Sequence, residues 1–277
     1  MIHRLRTPVH ATISRALGVR APGLLASWFE SSVGRVHYAL DPVARESARR
    51  LAPMRNAYSG KRCFILGNGP SLASMDLSPL RSEFTFGLNR IYLMFEKMGF
   101  NTTFLVVVNA YVIEQCAEEL QEKSQLTFVP WQYRGLLHHK AAPLYYRQIH
   151  KPGFSADPTR GLWSGATVTY VAMQLAYFLG FSEVVLIGVD HHFETQGIPG
   201  KVISAQGADP NHFDPSYFSN GFRWQLPDLE TSEYAYSLAR RAFEAHGRQM
   251  YNATVGGRLE VFPRRPFESF FPARQAA

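Results

Sequence analysis

The chain has 277 residues, 46% hydrophobic and 18% charged, which excludes a disordered polymer and suits one large α/β domain with an appendage. Its formal net charge of +7 is uneven: residues 1–62 hold eleven Lys or Arg against three Asp or Glu, whereas the remainder holds 18 basic and 19 acidic residues. The near-neutral body argues against nucleic-acid binding, because the excess charge belongs to an amino-terminal arm.

In chain order, residues 1–58 are expected to form a basic helical arm and residues 59–277 the main domain. Within the arm, Val9, Ile13, Leu17, Leu24, Leu25, Trp28 and Phe29 stand at rough helical spacing beside arginines, with a break at Pro22. A second helix starts at Asp41-Pro42, an acid in capping position followed by a proline at the first turn, and runs to about Met54. A basic amphipathic segment can lie on an anionic membrane face, pack on the domain, or bind a partner chain, a homo-oligomer included. Peripheral membrane contact through residues 1–55 is therefore one expectation. Arg4, Arg6 and Arg15 interrupt any signal-peptide core, and no run of about 18 apolar residues exists, so a cytoplasmic protein, at most peripheral to the inner membrane, is expected. Cys63 and Cys116 lack CxxC neighbours and are expected to be buried free thiols of a reducing compartment.

From residue 61 onward, strand-like and helix-like segments alternate. Strands are expected over 62–66, 84–88, 103–109, 125–130, 183–189 and 248–252, and helices over 91–98, 110–123, 165–179 and 232–246. This order predicts a Rossmann-like, doubly wound, mostly parallel sheet with helices on both faces. The helix after Ser164 is apolar nearly all round, so it should be central and buried, ending at Gly180. The last helix is expected to be capped by Thr231. The irregular stretches 131–163 and 191–228 are expected to be lids or binding loops.

The most informative segment is Cys63-Phe-Ile-Leu-Gly-Asn-Gly-Pro-Ser71, an apolar run that stops at a glycine turn. Neither G-x-G-x-x-G nor the P-loop pattern fits, yet such a turn lets backbone approach a ligand and present N–H groups to phosphates. The alternative is a tight strand-to-loop turn without a ligand. In a doubly wound sheet the ligand lies beyond the carboxyl ends of the strands. Asn68, Asn89 and Asn109 each follow a strand there, and Asp190 follows the strongest one. One asparagine at a strand end is ordinary turn chemistry; three feeding one crevice offer donors and acceptors to a base, ribose or sugar. Ser164-Gly165 is by position either an anion site at a helix start or a plain cap. Asp190-His191-His192 has the form of a metal-phosphoesterase triplet, but the early strands end in asparagine, not paired aspartates. His212, in the second lid, could act as a general base or be a surface histidine, and no histidine pair shows helical zinc spacing.

Gly67-Asn-Gly-Pro-Ser-Leu72, Leu88-Asn89, Asn109, Ser164-Gly165 and Leu186-Ile-Gly-Val-Asp190 resemble a superfamily of Rossmann-like transferases. It contains archaeal-type 6-hydroxymethylpterin diphosphokinases, small bacterial sialyltransferases and motility-accessory flagellin glycosyltransferases. The resemblance covers about residues 60–265. The sialyltransferase branch implies a CMP-linked nonulosonic acid donor, a cell-surface glycan acceptor and no required cofactor. Gly67, Asn68, Gly69 and Ser71 would then hold the nucleotide phosphate, with Asn89, Asn109, Ser164, Gly165 and Asp190 around the rest of the donor. A lid histidine would be the base, for which His212 is the candidate, and Tyr217 would stabilise the leaving phosphate. The diphosphokinase branch implies ATP and Mg²⁺ at Asp190, with Arg160, Arg223 or Lys201 neutralising phosphates; the alternative for Asp190 is a structural role, accepting backbone N–H bonds at the strand end. The leading expectation is a glycosyltransferase using a CMP-linked sugar; a Mg-ATP pterin-type diphosphokinase and a non-catalytic nucleotide binder are the alternatives.

Overall fold

A computed structural model describes residues 34–123, 125–137 and 143–272. The arm segments expected before residue 34 lie outside the described residues. The chain divides into two compact units, Met1–Pro42 and Val43–Ala277. Of the first, residues 34–40 are helical. The second carries everything that follows.

Helix α1 (Pro42–Leu51) begins at the expected proline and continues as a 3-10 turn over Ala52–Met54. Ala44, Ser47 and Leu51 are buried, and Ser47 Oγ accepts the amide of Tyr145 at 3.0 Å. The elements that follow are β1 (Arg62–Leu66), β2 (Phe84–Leu88), α2 (Phe95–Met98), β3 (Phe104–Val106), α3 (Ala110–Gln115), α4 (Ala117–Gln121), β4 (Leu126–Pro130) and β5 (Leu144–Tyr146). Then come β6 (Gln148–Ile149), β7 (Leu162–Trp163), α5 (Val168–Leu179), β8 (Glu183–Ile187), β9 (Val202–Ser204), β10 (Arg223–Gln225), α6 (Leu229–Glu244) and β11 (Gln249–Asn252).

Seven strands form one sheet in the order β11-β8-β1-β2-β3-β4-β5, and every pairing in it is parallel. The Rossmann-like α/β expectation holds. Both faces are buried, and the period-2 alternation of the strands divides the core between them. Cys63, Ile65, Phe104, Val106, Val184 and Leu186 face α5 and α6; Phe64, Leu66, Leu105, Val185 and Ile187 face α3, α4 and the carboxyl-terminal Phe267–Phe270 turn. α5 is buried at all but its first residue, and Gly180 terminates it with φ 96°, as its sequence required. The two cysteines are buried and free, and burial pushes the Cys63 thiol up.

Several boundaries differ from expectation. The region 131–163 is not wholly a lid, since it supplies β5, the edge strand of the main sheet. Three residues are too few to show a period. The helix expected over 110–123 breaks at Cys116 into α3 and α4, and that over 91–98 opens as a 3-10 turn, Ile91–Met94. α5 starts at Val168 with Thr167, not Ser164, as its cap. Asp228, not Thr231, caps α6 and accepts from both the amide and the hydroxyl of Thr231. No helix among the described residues is long and apolar enough to cross a membrane.

Leu51 is fully buried among Phe and Leu side chains of the sheet face, so Leu51→Ala should lower unfolding free energy by about 2–5 kcal/mol in urea titrations. A loss below about 1 kcal/mol would mean that α1 is only loosely held.

Candidate functional site

The chain leaves β1 in one direction toward β2–β5 and returns on its other side as β8 and β11, so the switch point lies between β1 and β8. There the two strand-end loops cross in contact. Gly67 N donates to Ile187 O (2.8 Å) and Gly69 N to Gly188 O (2.9 Å). A Cβ on Gly67 would lie 2.1 Å from Gly188 O, and one on Gly69 would lie 1.8 Å from an Asp190 carboxylate oxygen. These glycines are thus required for loop-on-loop packing. The expectation that their N–H groups face phosphates is corrected, because both are taken by carbonyls of the β8 loop. Ser71 is likewise committed, its amide (3.2 Å) and hydroxyl (2.8 Å) donating to the Asp190 carboxylate. Burial raises the Asp190 pKa, and the Ser71 hydrogen bonds oppose that rise.

Above this crossing lies a cavity of about 370 Å³. Asn68, Asn89, Asn109 and Ser164 line it together, as do Gly67, Gly69 and Asp190. His212 and Tyr217 complete the same wall from the lid. Ser71 and Gly165 are not in the wall. Gly165, at φ 54°, has its would-be Cβ 2.5 Å from the Ala235 methyl, so it serves α5–α6 packing.

The asparagines play unequal parts. Asn89 Oδ1 accepts from Val108 N (3.2 Å), and Asn109 caps α3 by accepting from Tyr111 N and Val112 N. Each keeps an NH₂ group without a hydrogen bond among the described residues. Asn68 is the complement: its NH₂ donates to Leu88 O (3.1 Å), while its buried Oδ1 has no partner. An orphaned buried acceptor costs about 1–3 kcal/mol, which a ligand donor would recover. Backbone strain gathers at the same place. Of the five non-glycine residues with positive φ among those described, Asn89 (47°), Ala166 (60°) and His191 (52°) line the cavity.

His212 Nδ1 lies 2.7 Å from Asp209 Oδ2. Asp209 is buried and also accepts the amides of Asn211 (2.8 Å) and Phe218 (3.0 Å). An acceptor-only carboxylate at Nδ1 assigns the proton there and leaves Nε2 with its lone pair. The His212 ring stacks on Tyr217, centroids 4.0 Å apart at 7°. Phe213 N donates to Asn68 O (2.9 Å), tying the lid to the glycine turn. Asp209 escaped the sequence reading, although a carboxylate three residues before a candidate base was a usable signal. His191, noted in sequence only as part of the Asp190-His191-His192 triplet, faces Glu233 at 3.5 Å.

The site does not suit phosphate clamping by the cations named from sequence. Arg160 is exposed beside Asp157, Arg223 faces Glu114 and Tyr111, Lys201 sits in an exposed turn, and none lines the cavity. Asp190 is the one carboxylate among the described lining residues, and both its oxygens are engaged by Ser71. No group of three or more His, Cys, Asp or Glu among the described residues could hold a metal ion. A magnesium site therefore fits poorly.

The sequence profile of a family described as 6-hydroxymethylpterin diphosphokinase MptE-like matches residues 41–196, and the chain belongs to that family. No curated protein matches the chain. Among solved structures it is similar to the MAf glycosyltransferase of Magnetospirillum magneticum AMB-1, with 17% identity and a TM-score of 0.47 over 82% of this chain. The chain spans 38% of that protein's length. It is also similar to the sialyltransferase CstII of Campylobacter jejuni in complex with cytidine-5'-monophosphate, with 16% identity and a TM-score of 0.41 over 74% of this chain and 85% of that one. For CstII in complex with CMP-3FNeuAc the values are 15% and 0.39, over 69% and 80%.

Burial holds the His191 imidazole below its ordinary value of 6.5, against the pull of Glu233. The unfolded chain then binds this proton more readily, so stability present above pH 6.5 is lost as pH falls. Urea midpoints should decline from pH 6.5 to 5 less steeply in His191→Gln than in the wild type. Equal slopes would show that the ring is not held neutral.

Proposed function

We propose that the protein is a transferase that moves a sugar from a nucleotide-activated, CMP-linked donor to an acceptor hydroxyl of a cell-surface glycan, with His212 as general base. The observation that carries this reading is His212, which shares one cavity wall with Asn68, Asn89 and Asn109 and is held from behind by the buried Asp209 carboxylate.

In this reaction His212 Nε2 takes the proton of the acceptor hydroxyl. The oxygen forms its bond to the anomeric carbon, and the bond from that carbon to the phosphate oxygen breaks. CMP departs with the electron pair. The imidazolium that results is stabilised by the buried Asp209 carboxylate, which also prevents the ring from turning. The neutral amides suit ribose hydroxyls and the edge of a base, where both donors and acceptors are needed. The orphaned Asn68 Oδ1 would take a donor from that ligand. Strained Asn89 and Ala166 lie in the same wall, as pre-organised sites commonly show.

The pterin-type diphosphokinase is the second reading, favoured by membership of the family. It requires metal and cationic clamps on the transferring phosphates, for which the described lining residues are poorly equipped.

The two readings separate on ligand and on chelation. Melting temperature should rise with CMP and be indifferent to EDTA, whereas ATP-dependent release of AMP that chelation abolishes would overturn the proposal. His212→Ala should lower the rate of acceptor-dependent CMP release by about 10²–10⁴-fold and leave donor affinity within a few-fold. Asn68→Ala should instead weaken CMP binding by about 1–3 kcal/mol in calorimetry, with a smaller effect on melting.

A further inference from the structure

We infer that Arg90, which lies outside the cavity wall, is a positioning residue that sets the plane of the His212 imidazole through Tyr217. The inference rests on His212 as the base, and it gives Tyr217 the part of a platform in place of the leaving-phosphate role expected from sequence.

Arg90 follows Asn89 at the end of β2 and is 8% exposed. Its backbone N–H donates to the Tyr217 hydroxyl at 3.3 Å. Its guanidinium donates to the carbonyls of Ser216 (3.2 Å) and Tyr217, and through Nε to the Tyr92 hydroxyl (3.3 Å). Glu119 of α4 stands 3.5 Å away as counter-ion. The guanidinium also lies over the rings of Tyr217 and Phe222, 5.8 and 5.4 Å from their centroids. A buried guanidinium is stable only when its donors are met, and four of these contacts are to lid residues 216–222. Arg90 is therefore a rigid post to which the lid is fastened.

Tyr217 is the piece held by that post. Its ring is 1% exposed and lies flat on His212. Its hydroxyl is occupied by the Arg90 amide, and burial pushes its pKa up, so the phenol stays neutral. Asp209 fixes rotation of the imidazole within its plane, and the Tyr217 ring fixes the plane itself. Because Arg90 is the neighbour of Asn89, one strand end holds both a donor-facing amide and the base platform. A shift of about 1 Å in a reacting group can cost about 100-fold in rate, so such a post matters although it touches no substrate.

The test uses full-length Arg90→Met, Arg90→Lys and Tyr217→Leu, with three readouts: imidazole NMR of His212 (assigned with His212→Gln), calorimetric CMP affinity, and the rate of CMP release. Arg90→Met and Tyr217→Leu should shift the His212 ring resonances and lower kcat by about 10–100-fold, with CMP affinity within about twofold of wild type in Arg90→Met, whose site lies outside the cavity wall. Arg90→Lys, which keeps the charge and loses the paired carbonyl contacts, should recover part of the rate. If Arg90→Met does not fold by circular dichroism, the other two variants carry the test. Unchanged His212 resonances in the folded variants would overturn the inference, as would a loss confined to CMP affinity. A wild-type protein that releases no CMP, yet shows the shift of His212 in these variants, would defeat the transferase reading and leave the positioning role standing.

Discussion

At the junction of β1 and β8, two glycine-bearing loops touch, backbone on backbone at Gly67 and backbone on carboxylate at Gly69, and the rest of the site is arranged around that contact. Gly67 meets the Gly188 carbonyl, Gly69 meets the Asp190 carboxylate, and Ser71 closes the junction by donating twice to the same carboxylate. A β-carbon at Gly67 or Gly69 would overlap the facing loop, so only glycine lets the strands end this close together. The parallel sheet needs both loops at the same level, because β1 and β8 are in register from Arg62↔Glu183 to Leu66↔Ile187. Chain geometry at the crossing then directs Asn68 and Asp190 to the floor of one cavity.

The lid depends on that floor. Phe213 hangs from the Asn68 carbonyl, and Arg90 grips the carbonyls of residues 216 and 217 from the next strand end. Between these attachments, Asp209 collects two backbone amides and the His212 ring, which is more bonding than a surface loop ordinarily maintains. The segment 191–228 is thus a fastened wall over this stretch, with its polar groups satisfied inwardly. His212 lines the same cavity as the three asparagines, so an imidazole held by a buried carboxylate and a set of neutral amides share one space.

Asparagines 68, 89 and 109 were legible as a set because strand ends in a parallel sheet all point to one rim, and each stands within three residues of the end of its strand. Their individual tasks were not legible: whether an amide oxygen caps a helix, braces a neighbouring strand or remains unpaired depends on which backbone N–H lies within reach. The same limit explains Ser71 and Gly165, correctly placed near the site but turned to packing instead of the cavity. Asp209 and Arg90 were missed because each acts on a residue at another place in the chain or in a loop of no regular period. β5 was missed because three residues at an edge show no alternation.

Periodicity and punctuation in the chain determined the α/β class, the positions of six of the sheet strands and the buried character of the helix ending at Gly180. These follow from local physics, since alternation, caps and glycine turns act over a few residues. Tertiary structure decided which of the rim residues line the cavity, why the glycines are there, and which cation fastens the lid. Those outcomes depend on contacts such as Gly67 with Gly188 and Arg90 with Tyr217, each spanning more than a hundred positions, where sequence order carries no distance information.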